Sequence, residues 1–243
     1  MSNNCELAIV LPVHNEGDTI EDTIKEIHDK IMSVHPTATL KVYEDGSEDE
    51  TKEILISLQA KLPRLSVSLG AERKGYVQAV KDALTSVGQS YRYVLFLDSD
   101  GQYDPGDFYR FWHEMGTREV DIVQGLRMNR SEPFYRVLLS KGLRAIERFM
   151  FDLESRDVTS AFRLMKTTVA MTVASQVRYS KHNFWLEFSA RARALGYRAI
   201  EVPVTYRSRK GGSKVYSLTK MPKIVWEEGK ALINTWLELR NLI

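Results

Sequence analysis

Asp98 and Asp100, with a single serine between them, close the apolar run Tyr93-Val-Leu-Phe-Leu97 and are followed at once by Gly101 and Gln102. An apolar run of this length, carrying aromatic and branched side chains, reads as a buried strand, and the abrupt charge marks its carboxyl end. In open parallel sheets that end is where ligands bind. Two carboxylates one residue apart offer the hard oxygen ligands that Mg²⁺ or Mn²⁺ takes, usually shared with the phosphates of a substrate. The pair predicts a metal–diphosphate site, with Gln102 as a further oxygen donor. The same residues would also serve as a solvated turn ahead of the next helix, and the neighbouring strand ends decide between the two.

Two other strand ends carry polar clusters. Pro12-Val-His-Asn-Glu16 follows the apolar Leu7-Ala-Ile-Val-Leu11, and Glu44-Asp-Gly-Ser47 follows Thr39-Leu-Lys-Val-Tyr43. Asn15, Asp18 and Ser47 are good helix N-cap types, so capping explains any one cluster taken alone. Three clusters on one rim point to a nucleotide, with Asp45 suited to the base or ribose and Asp98 and Asp100 to the metal on its diphosphate. Arg127, Arg136, Arg209 and Lys214 are cations expected near this acidic rim. Arginine grips phosphate in a two-pronged fork, whereas lysine acts as a point charge. Glu187 stands among Phe184, Trp185 and Phe188. An acid in that company is a candidate general base, or the partner of a nearby arginine.

The elements that must position these residues alternate. Strands are predicted at residues 7–12, 39–43, 65–69, 91–97 and 120–124. Helices are predicted at residues 17–34, 48–62, around 77–84, and from Asp104-Pro105. Such βαβ units imply an α/β fold with a mainly parallel central sheet and right-handed crossovers. After Gly125 the order changes. One amphipathic helix is expected at 134–151, a strand at 157–164, helices at 167–177 and 184–195, and a late strand at 197–203. A basic Gly-Gly loop and a last helix follow. The chain divides into a catalytic domain, 1–216, and a C-terminal amphipathic helix, 217–243. That helix places Ile224, Leu232, Trp236, Leu239 and Ile243 on one broad stripe, fit to pack on the domain or to lie at a membrane interface.

The 243 residues carry a net charge of +2, so no global field points to nucleic acid. Cys5 is the one cysteine, which excludes an internal disulfide and favours a reducing compartment. The first residues have neither the basic nor the apolar part of a secretory signal, and no stretch reaches the roughly 20 apolar residues of a membrane span. A cytoplasmic protein is expected, peripheral on the cytoplasmic face of a membrane.

The motifs together resemble a known family. Leu11-Pro-Val-His-Asn-Glu16, Tyr43-Glu-Asp-Gly-Ser-Glu-Asp-Glu-Thr51, Arg73-Lys-Gly75 before a helix, and Phe96-Leu-Asp-Ser-Asp-Gly-Gln102 are similar to those of family-2 glycosyltransferases of the GT-A fold. The second half resembles the branch that acts on polyprenyl or dolichyl phosphate. The pieces there are Asp121-Ile-Val-Gln-Gly-Leu-Arg127, Tyr135-Arg-Val-Leu-Leu-Ser-Lys-Gly142, Asp157-Val-Thr-Ser-Ala-Phe-Arg-Leu164, Glu201-Val-Pro203 and Gly211-Gly-Ser-Lys214. The resemblance implies inverting, metal-dependent transfer of a sugar from a GDP- or UDP-sugar to a polyprenyl phosphate, with Mg²⁺ or Mn²⁺ as cofactor. It assigns Pro12, His14, Glu16, Asp45, Lys74 and Ser99 to the nucleotide sugar, together with the metal-binding Asp98, Asp100 and Gln102. It assigns Arg127, Arg136, Arg209, Ser213 and Lys214 to the acceptor phosphate. A membrane surface or a membrane-anchoring subunit is the implied partner. His14 stands where tyrosine is usual, Glu44 replaces the first of two aspartates, and Glu50 replaces a common glycine. The basic loop is one residue shorter than the pattern, which leaves Arg207 beside Arg209 for the phosphate role, Arg209 preferred. Two other readings fit the same motifs. One is transfer to a hydroxyl acceptor with Glu187 as base. The other is a non-catalytic subunit that binds nucleotide sugar.

Overall fold

The computed structural model describes residues 6–128, 142, 145–208 and 221–241. Its centre is the pair β1 (Leu7–Val13) and β4 (Tyr93–Phe96), in which every residue is buried. A strand covered on both faces needs apolar side chains at consecutive positions, and these two runs supply them. β2 (Ala38–Glu44) lies beside β1 and alternates buried with half-buried residues, and β3 (Leu65–Leu69) closes that side. β5 (Ile122–Arg127), β6 (Arg163–Lys166) and β7 (Ala199–Val204) form the other side. The seven strands run in the order β3-β2-β1-β4-β6-β5-β7, with β6 antiparallel to both neighbours and the other pairings parallel. The fold is mixed α/β, with one reversed strand in an otherwise parallel sheet.

Helices cover the sheet. α1 (Ile20–Ile27) buries Ile20, Ile24 and Ile27 and continues as a π-helical turn, His28–Met32, that adds Ile31 and Met32 to the same core. α2 (Thr51–Lys61), α3 (Tyr76–Thr85) and α4 (Phe108–Thr117) follow their strands as expected, and α4 is preceded by a short 3₁₀ turn at Pro105–Asp107. α5 (145–151), α6 (Thr167–Gln176), α7 (Phe184–Ala194) and α8 (Met221–Leu239) complete the set. The expected start of the 134–151 helix and of the 217–243 helix lies outside the described residues. Leu232 and Leu239 of α8 pack with Phe151, Val158, Leu186 and Ala190 in a small second core, against which Trp236 leans. Of the stripe read from the sequence, Leu232, Trp236 and Leu239 pack here, and Ile243 lies outside the described residues. A different set of α8 side chains, Val225, Trp226, Ile233 and Leu237, faces outward and is about half exposed or more.

One predicted strand is corrected. Residues 157–162 are not part of a strand, and β6 begins only at Arg163. Asp157 to Ser160 form a turn closed by the Ser160 amide on the Asp157 carbonyl at 3.1 Å. Ser, Thr and Asp side chains offer the backbone local hydrogen bonds that compete with a ladder, and this segment is dense in them.

The two sides of the sheet diverge at β1 and β4. Their pairing runs from Leu7–Tyr93 to Val10–Phe96, whereas β1 stays paired to β2 as far as Val13–Glu44. The Val10 carbonyl accepts from the Leu97 amide at 3.3 Å, so residues of that parity face β4. Pro12 has the same parity. It cannot donate to a ladder, and it falls where β4 has already ended. A crevice therefore opens between β1 and β4 at their carboxyl ends, the place where open α/β sheets receive ligands.

Candidate active site

The parallel strands all end on one rim, so the loops after β1, β2, β4, β5 and β7 emerge together. Reversed β6 brings its first residue, Arg163, to the same edge, opposite Phe96 and Gln124. His14, Glu16, Asp45, Asp98, Ser99, Asp100, Gln102 and Arg127 are thereby gathered on one side of the sheet.

On the donor side, His14 Nδ1 lies 2.8 Å from the Asp45 carbonyl oxygen. The amide of Asn15, which has a positive φ of 53°, donates to the Ser47 hydroxyl at 2.9 Å, and the Asn15 side-chain oxygen accepts from the Glu48 amide at 2.9 Å. Glu16 is buried, with the Thr19 hydroxyl donating to it at 3.0 Å. Both oxygens of Asp45 accept backbone amides, from Lys74 at 2.7 Å and Gly75 at 2.9 Å. Glu44 accepts from the Ser47 amide and, at 3.2 Å, from the Gly70 amide. The Glu44-Asp45 pair thus binds the loop before α3 to the end of β2. Gly46 makes this approach possible. It has φ +63°, and a Cβ there would lie 2.4 Å from the Arg73 nitrogen. The ammonium of Lys74 reaches Asp82 at 2.6 Å instead of turning to the rim.

Asp98 accepts the Tyr76 hydroxyl at 3.0 Å, and the same hydroxyl accepts the Trp185 indole N–H at 3.1 Å. Lost hydration around the phenol, and then the charge of Asp98, hold the Tyr76 proton well above its ordinary pKa, so it remains a donor. Ser99 is buried, its carbonyl held by the Thr23 hydroxyl at 3.3 Å, and Asp100 accepts the Gln102 amide at 3.1 Å around Gly101. Asp98 and Asp100 are half-buried. Among the described residues no group of three or more His, Cys, Asp or Glu could hold a metal ion. A pair of acids suits Mg²⁺ or Mn²⁺ that completes its shell with water and diphosphate oxygens, and does not suit a closed protein cage. Gln102 is already engaged at both ends of its amide. Its oxygen accepts from Tyr206 at 3.0 Å and its nitrogen donates to the Arg207 carbonyl at 3.1 Å, so it clamps the segment after β7 to the acidic loop.

On the other side of the crevice, Arg127 forks onto Asp157, with Nε at 2.8 Å and Nη2 at 2.7 Å, and Nη2 also meets the Thr159 hydroxyl at 2.7 Å. Burial opposes its charge, but the Asp157 carboxylate outweighs burial and holds it protonated. Arg207 belongs to a four-member ion network. It meets Glu26 at 2.9 Å and Asp104 at 2.8 Å, and Lys30 joins the same acids at 2.8 and 2.6 Å. Arg207 is therefore occupied against α1. Arg136, Arg209, Ser213 and Lys214 lie outside the described residues.

Of the two readings of Glu187, its contacts fit the partner of a nearby arginine. Glu187 is buried, and its oxygens accept the amides of Arg178, Tyr179 and Ser180 at 2.9, 2.8 and 2.7 Å. Buried Arg191 adds a pair at 2.7 Å and links on to Glu238 of α8 at 3.0 Å. With three amides and a guanidinium on it, the carboxylate caps a turn and anchors α8. Sequence reasoning missed Tyr76, Asp157, Arg163 and Trp185. Asp157 was hidden by its assignment to a strand, and a hydroxyl directly after Lys74-Gly75 was the only local hint of Tyr76.

With this geometry in place, comparison with known proteins is decisive for the family. Residues 8–173 match the model described as Glycosyl transferase family 2. The chain belongs to that family. It is a glycosyltransferase. It is 26% identical over 241 residues to the glycosyltransferase AglD of Haloferax volcanii, covering 96% of this chain and 37% of that protein. It is 24% identical over 212 residues to the polyprenol monophosphomannose synthase of Mycolicibacterium smegmatis, covering 84% of this chain and 78% of that one. The crystal structure of glucosyl-3-phosphoglycerate synthase from Mycobacterium tuberculosis, in complex with Mn²⁺, UDP-glucose and phosphoglyceric acid, superposes with a TM-score of 0.70 at 17% identity. That match covers 95% of this chain and 79% of that structure, and it supports the GT-A fold.

Two outcomes are expected. Glu187→Ala leaves three amides unmatched and buried Arg191 with Glu238 alone, so unfolding free energy should fall by about 3 kcal/mol in urea titration, while turnover per folded molecule is retained. Normal stability with turnover lost would restore the base. The second concerns acid stability. Burial raises the Glu26 and Asp104 pKa values, but bonds from Arg207 and Lys30 to Glu26, and from Lys30 and the Gly106 amide to Asp104, outweigh it and leave both lowered. Their contribution is complete above the ordinary carboxylate range and disappears as pH falls through the lowered values. Glu26→Gln should flatten the acid limb of melting temperature against pH, and an unchanged limb would remove the network from acid stability.

Proposed function

We propose that this chain transfers a sugar, with inversion, from a nucleotide diphosphate sugar to a polyprenyl phosphate. The observation that carries the reading is Asp98 and Asp100 at the mouth of the crevice between β1 and β4, beside His14, Glu16 and Asp45. The nucleotide lies across the ends of β1 and β2, where the backbone of residues 14–16 and 45–47 is locked in place. Asp98 and Asp100 hold Mg²⁺ or Mn²⁺ against the diphosphate. When bound, the metal supplies Lewis-acid neutralisation of the leaving nucleotide. The solved relative with Mn²⁺ and UDP-glucose supports this chemistry for the fold.

The relative named for polyprenol monophosphomannose supports the lipid phosphate as acceptor. An acceptor phosphate is anionic before it reacts, so it attacks the anomeric carbon with little need of a general base, in keeping with Glu187 being occupied elsewhere. Arg127, held by Asp157 and Thr159 and lying 5.3 Å from the Tyr206 ring centre, is one proposed phosphate ligand. Arg136, Arg209, Ser213 and Lys214 are the other proposed phosphate ligands. No helix among the described residues is long and apolar enough to cross a membrane. We assign the outward stripe of α8 to a bilayer surface. Trp226 is 66% exposed, with the Lys230 ammonium 4.8 Å from its ring centre, and Ile233 and Leu237 continue the stripe. Aromatic and aliphatic residues flanked by lysine suit an anionic interface.

Asp98→Ala and Asp100→Ala should each abolish sugar transfer from GDP- and UDP-sugars to polyprenyl phosphate in Mn²⁺, with melting temperatures near that of the parent. Near-normal turnover in both would refute the metal assignment, and transfer to hydroxyl acceptors alone would refute the lipid phosphate. For the surface stripe, Trp226→Ser with Ile233→Ser should lose most co-sedimentation with anionic phospholipid vesicles and keep its stability. Sedimentation equal to the parent's would separate α8 from the membrane.

A further inference from the structure

We propose that Tyr76 is a positioning residue for Asp98 and that Trp185 holds Tyr76 in that role. The proposal rests on Asp98 being a metal ligand, and it names what sets the direction of that carboxylate. Rotation of a carboxylate about its last bond is soft, with no steep staggered wells. Something must therefore aim it before a cation arrives. Asp98 stands two places after Phe96, the last residue of β4 paired with β1, and one after Leu97, whose amide donates to the Val10 carbonyl at 3.3 Å.

The hydroxyl of Tyr76 supplies the constraint, and its direction follows from proton counting. The Trp185 indole nitrogen can only donate, and it lies 3.1 Å from the phenol oxygen. That oxygen accepts from the indole, so its single proton is free to point at Asp98 Oδ1, 3.0 Å away. Oδ1 of the carboxylate is thereby tied to the phenol. Trp185 is itself immobile. It is 1% exposed, its ring meets Phe96 edge-on at 4.7 Å and Phe188 at 5.3 Å, and the Arg163 guanidinium lies 4.5 Å from its centre. A closed path results. β4 fixes Phe96, Phe96 fixes Trp185, Trp185 fixes Tyr76, and Tyr76 returns to the residue two places after Phe96. Gly75, at φ +90°, lets α3 begin at the angle that brings the phenol to this point.

The test is the affinity of the whole chain for Mn²⁺ alone, read from the electron paramagnetic resonance signal of the free ion. Asp98→Ala should abolish binding. Tyr76→Phe, which removes one oxygen, should weaken it about tenfold, the size of effect that hydrogen-bond partners of metal ligands commonly have. Trp185→Phe should weaken it less, and the double variant should match Tyr76→Phe, because the indole acts only through the phenol. Melting curves confirm that each variant is folded at the titration temperature. If Tyr76→Phe binds Mn²⁺ as the parent does while Asp98→Ala does not, the positioning role is overturned and the metal site stands. If Asp98→Ala binds as the parent does, the metal site falls and the positioning role with it. If the double variant is much weaker than Tyr76→Phe, Trp185 acts by another route and its part is overturned.

Discussion

Charge cannot sit along β1 or β4, because every residue of both strands is buried. Polar chemistry is driven to the places where those strands stop. They stop at different heights: β1 remains bonded to β2 for three residues after it leaves β4, and Pro12 lies in that stretch with no amide hydrogen to donate. The crevice is thus a consequence of strand length and of one missing donor. Asp98 and Asp100 stand on one wall of it and His14 and Glu16 on the other.

The rim residues divide into those that face the crevice and those that keep its walls rigid. Glu44, Asp45, Asn15 and Ser47 form a web of bonds to backbone amides, and the result is a stiff surface of loop backbone. Gln102, Tyr206 and Arg207 do the same for the far wall, where Arg207 is fixed to Glu26 and Asp104. Rigid walls matter because sub-ångström placement of reacting groups governs rate. Most carboxylates on this rim are therefore structural, and position on the rim is a poor guide to chemistry unless the hydrogen bonds of each acid are followed.

Much of this was legible in the sequence. Apolar runs ending in charge located β1, β2 and β4, and the alternation of periods gave the parallel half of the sheet. Asp98 and Asp100 were found by their place at a strand end. What failed was what depends on contacts distant along the chain. Asp157 lies in a segment with apolar residues at suitable intervals, yet its carboxylate forks to Arg127, thirty positions away, and the segment turns. Glu187 was legible as the partner of an arginine, found four places on at Arg191, but not as the acceptor of three amides of a turn. Tyr76 and Trp185 are 109 positions apart, and no periodicity signals their bond. The sequence of α8 shows one apolar stripe, whereas the folded helix has two, because only packing reveals which apolar residues the domain leaves uncovered.

Reversal of β6 has a wider consequence. Its ladder to β4 and β5 joins the unit β1 to β4 to a second whose loops are tied to one another through Arg127, Asp157, Thr159 and Glu201, and to the first through Trp185 on Tyr76, Tyr206 on Gln102 and Arg207 on Glu26. With those ties in place, a change of shape in either half is transmitted to the acidic loop, so neither half can be remodelled without disturbing the other.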